Sequence, residues 1–164
     1  MTPTWRNLHT GPLTALTLVL SATATHAQSP TLPGGSYTLF AGNGASANFI
    51  VENSISRTGE RVRLAIYRVY AEGAATSRGI RDQEVIAGEI DCGTRTWRML
   101  SADAFTATGQ WIASFPAEAE TPIRPEQTWD FAAKIVCGEV RMPSSATVSG
   151  AVAARALGRS RLGL

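Results

Sequence analysis

The chain has 164 residues and a mass of 17.4 kDa, of which 44% are hydrophobic and 17% are charged. This length suits one modest domain and is too short for two. The formal net charge is only +2, whereas nucleic-acid-binding domains are strongly basic. We therefore expect no nucleic-acid partner.

Residues 1–27 are predicted to be a secretory signal peptide. Arg6 supplies the positive charge, residues 12–20 form a short apolar run, and small residues lead to Ala27. We expect cleavage between Ala27 and Gln28. The apolar run is well below the roughly 20 residues that span a bilayer, so no transmembrane segment is predicted. No cysteine stands at the cleavage point, so the mature protein is expected to be periplasmic or secreted without a lipid anchor.

Both histidines, His9 and His26, lie inside the predicted signal peptide. The mature chain would then lack the residue required for Ser-His-Asp catalysis, Cys-His catalysis and histidine-based zinc sites. We predict no catalytic residue, no metal site and no cofactor.

Strands dominate the first part of the mature chain. Residues 28–36 are rich in Pro, Gly and Ser and are predicted to be a flexible lead-in. Alternating apolar residues then predict strands at 49–56, 61–70, 80–92, 95–105 and 110–115, with a loop at 72–79. Three prolines within residues 116–125 predict a loop that crosses the sheet.

One helix is predicted after this loop. Pro125 suits a first helical position, and Trp129, Ala132, Ala133 and Val136 recur at helical spacing. The predicted fold class is α+β: an antiparallel meander of about five to six strands with one C-terminal helix packed on it. We place this domain at residues 37–140.

Residues 141–164 carry four arginines and no acidic residue. Because this segment has few bulky apolar groups, it is predicted to be a disordered basic tail. It is interpreted either as a dispensable terminus or as an arm that contacts anionic envelope components.

The two cysteines, Cys92 and Cys137, are predicted to form a disulfide, as is usual in exported chains. Cys92 shares strand parity with Ile86 and Ile90, and Cys137 borders the apolar stripe of the helix. Both sulfurs are thus directed to the sheet–helix interface. A thioredoxin-like redox pair would need a Cys-x-x-Cys motif, which is absent, and a metal site would lack soft partner ligands.

The same segments resemble a known family. The run DCGTRTWRML at 91–100, the later Gly109 and Pro125, and KIVC at 134–137 are similar to the surface-adhesin protein E family of proteobacterial envelope proteins. Residues 53–55 and Gly59 extend the resemblance to roughly residues 37–138. It implies a curved antiparallel sheet joined to a C-terminal helix by a disulfide, and an adhesin that binds host extracellular proteins.

Four carboxylates form two candidate catalytic pairs: Asp82 with Glu84, and Glu89 with Asp91. Each pair has same-face strand spacing, as a glycoside hydrolase would require, but a solvated face that balances nearby arginines is favoured. Trp97, Trp111 and Trp129 are interpreted as core residues rather than as a ligand groove. Gly42-x-Gly44 is interpreted as a loop, not a dinucleotide site, and Lys134 as a helix-end cation, not a general base.

The sequence therefore favours an exported, non-enzymatic binding or envelope protein. Its partner would be a host matrix protein or an anionic envelope component, and its binding residues are not identified by the sequence. The alternative is a periplasmic hydrolase that uses carboxylates alone.

Overall fold

The structure is a computed structural model that describes residues 29–164. The predicted signal peptide and its cleavage site between Ala27 and Gln28 lie outside the described residues. Within them the chain forms one eight-stranded sheet and two helices. The strands are β1 (Ser36–Gly42), β2 (Ser46–Thr58), β3 (Arg61–Thr76), β4 (Gly79–Asp91), β5 (Thr96–Phe105), β6 (Trp111–Phe115), β7 (Thr121–Pro122) and β8 (Thr147–Ser149), and the helices are α1 (Thr128–Val136) and α2 (Ala151–Arg161).

The sheet is an antiparallel meander in the order β6-β5-β4-β3-β2-β1-β8, and β7 pairs with the far end of β5. Short connections join β2 to β3 and β3 to β4, where Thr58 pairs with Arg61 and Thr76 with Gly79. Gly59 has φ of +60°, which a tight turn at this point requires.

The antiparallel α+β architecture agrees with the prediction, but the count of five to six strands is wrong. The five predicted strands correspond to β2–β6, whereas β1, β7 and β8 were not predicted. β7 and β8 have two and three residues, and such short strands are specified by their pairing partners rather than by local periodicity. Residues 72–76, predicted as a loop, belong to β3, because residues 74–76 pair with β4.

The sheet buries side chains on both faces. Along β3, Leu64 and Ile66 point to one face, and Tyr67 and Val69 point to the other. We call the first the α1 face and the second the α2 face, after the helix that packs on each. The predicted fold had one helix and therefore one covered face.

Helix α1 lies on the sheet through Trp129. Its indole is buried and stacks on that of Trp97, with ring centroids 4.0 Å apart. Gly88 allows this approach, because a Cβ atom at that position would lie 2.7 Å from the Trp129 ring. The helix begins at Thr128, so the prediction that Pro125 opens it is wrong; Pro125 precedes the N-cap, Gln127.

The predicted disulfide is confirmed. Cys92 directly follows β4, Cys137 is the C-cap of α1, and their Cα atoms are 5.7 Å apart in the bonded pair. Arg57 of β2 donates a hydrogen bond to the carbonyl of Val136 beside the bridge. The C-terminal end of α1 is thus fixed to the sheet by a covalent bond and by a polar contact.

The prediction of a disordered tail beyond residue 140 is wrong. β8 pairs with β1, and α2 packs on the α2 face with Ala154 fully buried. A Cβ atom at Gly158 would lie 3.2 Å from Phe49 and from Val69. The small residues that suggested disorder instead let the helix approach a sheet whose strands supply the bulky apolar groups. The fold therefore continues to α2.

The N-terminal segment also contacts the sheet. Leu32 packs against the α2 face, and the carbonyl of Pro33 accepts a hydrogen bond from the Tyr37 hydroxyl. The predicted lead-in is therefore partly in contact with the folded domain, and β1 begins at Ser36 within it.

Candidate functional site

A cleft of about 400 Å³ opens on the α1 face, between the N-terminal end of α1, the adjoining ends of β1 and β2, and the middle of β3. We call it the helix-end cleft. Its volume is in the range of about 300–1,000 Å³ that is typical of small-molecule sites. The residues that matter to its chemistry are Asn48, Arg68, Glu126, Gln127, Trp129 and Phe131.

Two polar side chains form the floor of the helix-end cleft. Arg68 Nε donates to Asn48 Oδ1 at 2.8 Å, and Asn48 is only 1% exposed. The Arg68 guanidinium also lies 3.5 Å from Glu84, which accepts a hydrogen bond from the Tyr70 hydroxyl at 2.6 Å. Burial raises the pKa of Tyr70 above its ordinary value, so this hydroxyl stays protonated. The guanidinium is thereby held in one orientation.

The rim is formed by the first turn of α1. Phe131 is apolar but lies outside the buried side of α1, and it is 42% exposed. Gln127, the N-cap of the helix, is also exposed. Glu126 precedes it with φ of +63°, a conformation that is uncommon for a residue other than glycine. Its backbone N–H donates to Asp130 Oδ2 at 3.0 Å, which supports this conformation.

Asp130 anchors the base of this turn. It accepts from Arg95 at 2.6 Å and from Lys134 at 2.8 Å, and is almost completely buried. The hydrogen bond from Lys134, followed by that from the Glu126 N–H, lowers the pKa of Asp130. Lys134 lies in the last turn of α1, as expected of a helix-end cation.

Glu89 and Asp91 share the α2 face, as their spacing predicts, but Glu89 is only 5% exposed, so the expectation of a solvated face is wrong for this residue. Glu89 accepts hydrogen bonds from Arg63 at 2.8 Å, Arg61 at 2.9 Å and Arg98 at 2.7 Å. The bond from Arg63, together with those from Arg98 and Arg61, lowers the pKa of Glu89 to about 2. The pKa of Asp91 is lowered by the backbone N–H of Thr94. The ionised form is thus favoured for both Glu89, which three arginines hold, and Asp91, which a backbone N–H holds, whereas glycoside hydrolysis uses one protonated carboxyl group.

The prediction that Asp82 and Glu84 share a face is wrong. Asp82 accepts two hydrogen bonds from Arg155 of α2, at 2.7 and 3.1 Å, and so lies on the α2 face. Glu84 contacts Arg68, which lies between Tyr67 and Val69 in β3 and therefore points to the α1 face. A shift in the β3–β4 register between Val69 and Ala74 interrupts the simple alternation here.

The three tryptophans do not form one groove. Trp97 and Trp129 lie in the core of the α1 face, as predicted. Trp111 lies instead at the edge strand β6, half-buried, with the Arg78 guanidinium 5.4 Å from its ring centroid, so its assignment to the core is wrong. Gly42 ends β1 and Gly44 lies in the turn to β2, in agreement with a loop.

Sequence reasoning missed Asn48, Arg68, Gln127 and Phe131 as site residues. One signal was available, because Asn48 directly precedes the buried run of Phe49, Ile50 and Val51, and a buried amide requires a partner. Across residues 29–164, no three His, Cys, Asp or Glu side chains are grouped to hold a metal ion. None of the helices in that part of the chain is long and apolar enough to cross a membrane.

Comparison with known proteins places this fold in a family. The sequence model for surface-adhesin protein E matches residues 37–138, and no curated protein sequence matches the chain. The structure of crystal form II of Haemophilus influenzae protein E is similar to this structure, with a TM-score of 0.53 and a sequence identity of 16%. The match covers 71% of this chain and 98% of that chain. A second structure of that protein gives a TM-score of 0.52 and 15% identity, over 69% and 92%. At these identities the structures show a shared fold only, whereas the sequence match establishes that the chain belongs to the surface-adhesin protein E family.

Proposed function

We propose that this chain is an exported, non-enzymatic binding protein whose partner is a host matrix protein or a component of the bacterial envelope. The helix-end cleft carries this proposal. Its floor is held by the Arg68–Asn48 hydrogen bond, and its rim by a turn of α1 that Asp130 anchors. A site whose groups are fixed before binding loses less conformational entropy when a ligand binds.

Two further observations support the proposal. The Cys92–Cys137 disulfide is typical of proteins that fold in an oxidising compartment, in agreement with export. The carboxylates that the hydrolase alternative requires are all engaged in ion pairs or hydrogen bonds, and Glu89 is held by three arginines. Membership in an adhesin family adds the expectation of an extracellular or envelope partner.

Export is tested by producing the full chain in a Gram-negative host and sequencing the N-terminus of the protein in the periplasm and the medium. We expect the mature protein to begin at Gln28, because the small residue Ala27 precedes it at the end of the signal peptide. A protein that stays in the cytoplasm with residues 1–27 attached contradicts the export proposal.

Binding is tested by presenting the immobilised mature protein to purified matrix proteins and, separately, to envelope fragments. We expect one of the two preparations to be retained by the wild-type protein and to be retained less by Gln127→Ala. The hydrolase alternative is tested with Asp91→Asn. A hydrolytic activity that this variant loses, while its circular dichroism spectrum stays unchanged, contradicts the non-enzymatic assignment.

A further inference from the structure

We propose that the helix-end cleft binds a sugar residue of a glycan. This inference rests on the proposed function as a binding protein and names the chemical class of its ligand. It follows from three features of the cleft: the kind of polar groups that line it, the exposed aromatic ring at its rim, and its charge.

The polar groups of the cleft suit hydroxyl pairs. An amide, a guanidinium and a carboxylate are each planar and present two neighbouring donors or acceptors, so each can engage adjacent hydroxyls of one sugar ring. The floor supplies Arg68, which the buried Asn48 side chain positions, and the rim supplies Gln127 and Glu126. Arg68 uses Nε for Asn48, and its side chain remains 22% exposed. Donors and acceptors thus face one small volume from two sides.

The aromatic group of the rim suits the apolar face of a sugar. Phe131 is 42% exposed, one of few large apolar side chains on the described surface with so much area in water. The Lys134 ammonium lies 5.6 Å from its ring centroid, and the ring also lines the cleft. The C–H face of a pyranose can pack on such a ring, which removes apolar area of both partners from water.

The charge of the cleft favours a neutral or singly acidic sugar over a polyanion. Glu84 pairs with both Arg68 and Arg81 at 3.5 Å, and Glu126 adds a negative charge at the rim, so these four charges sum to zero. An extended peptide is less well suited, because the strand backbone within the cleft is limited to Ala41 and Gly42 at the end of β1, too short an edge for strand addition.

The experiment begins with an array of defined glycans, probed with the mature protein. One part carries neutral and sialylated oligosaccharides of host type, and the other carries muropeptides and lipopolysaccharide core oligosaccharides. The strongest ligand is then titrated by calorimetry against the wild type, Phe131→Ala and Gln127→Ala. We expect each substitution to weaken binding by about tenfold or more, because each removes a direct contact.

Val152→Ala is the matched control, since Val152 is 86% exposed on α2 and lies outside the cleft. Phe131 and Gln127 are themselves exposed, so their substitution should leave the thermal midpoint close to that of the wild type. The part of the array that contains the ligand identifies its source as host or bacterial.

Two outcomes would overturn the inference. If the wild type binds a glycan but both cleft variants bind it equally well, the sugar lies elsewhere. If the protein binds no sugar on the array but retains matrix proteins or envelope fragments that have been stripped of glycans, the ligand is not a sugar and the proposed binding function still stands. Absence of binding in every assay would instead refute both proposals.

Discussion

The indole of Trp129 in α1 stacks on that of Trp97 in β5, with centroids 4.0 Å apart and an angle of 19° between the planes. The Trp129 ring lies above Gly88 of β4, where a Cβ atom would be only 2.7 Å from it. The same turn of α1 forms the rim of the helix-end cleft, so the stacking fixes the position of the site as well as that of the helix.

Substitution of Trp129 by Ala should lower the free energy of unfolding by about 3 kcal/mol or more, since it removes a large buried ring and leaves a cavity above Gly88. Urea-induced unfolding followed by circular dichroism measures this change. Phe131→Ala on the same helix is the control, and should cost less than about 1 kcal/mol because Phe131 is 42% exposed. Equal losses in the two variants would show that the buried side of α1 is wrongly assigned.

The central part of the fold could be predicted because its signals are local. The alternation of Val62, Leu64 and Ile66 along β3, and the helical spacing of Trp129 and Val136 in α1, are direct consequences of backbone geometry. The disulfide was expected for two cysteines of an exported chain, and the same periodicities supported it. Helix α2 gave no such signal, because its buried positions are Ala154 and Gly158, whose small side chains resemble those of a flexible segment.

The candidate site could not be predicted for a different reason. Asn48, Arg68 and Phe131 come from β2, β3 and α1, and only the sheet register and the packing of α1 bring them to one cleft. The register shift after Val69 likewise separated Asp82 from Glu84, whose spacing had placed them together. Such shifts depend on tertiary contacts and leave little trace in a single sequence.

The mature protein should contain no titratable thiol when it is denatured without reductant. Reduction should lower its stability by roughly 4 kcal/mol on the chain-entropy model, since the bridge closes a loop whose ends are 45 residues apart in sequence. Calorimetry of the oxidised protein and of the double variant Cys92→Ser/Cys137→Ser measures the difference. Two reactive thiols in the denatured exported protein would contradict the bridge.

Gly158→Leu tests whether α2 is part of the folded core. In a disordered tail this substitution would be neutral, and in an exposed helix it would be favourable because leucine has the higher helix propensity. In the structure a side chain at this position meets Phe49 and Val69, so we expect a loss of about 1–3 kcal/mol from overpacking. Ala156→Leu, at an exposed position of the same helix, is the matched control and should change stability by less than about 0.5 kcal/mol. A neutral result for Gly158→Leu would support the disordered tail.

Glu89→Gln should alter the response of the protein to acid. The carboxylate has a pKa of about 2 in the folded state, against 4.5 for an ordinary glutamate, because Arg63, Arg98 and Arg61 donate hydrogen bonds to it. A group whose pKa is depressed by folding stabilises the folded state above its unfolded pKa, and this stabilisation is lost as protons bind. The wild type should therefore lose stability between about pH 4.5 and pH 2, and the loss in this window should be smaller in the variant.

At pH 7 the variant should be the less stable protein, because three guanidinium groups then lack their shared anion. Urea titrations of both proteins at pH 7, 4.5 and 2.5 measure these differences. Parallel stability curves for the two proteins across this range would show that Glu89 is not the carboxylate whose protonation destabilises the fold.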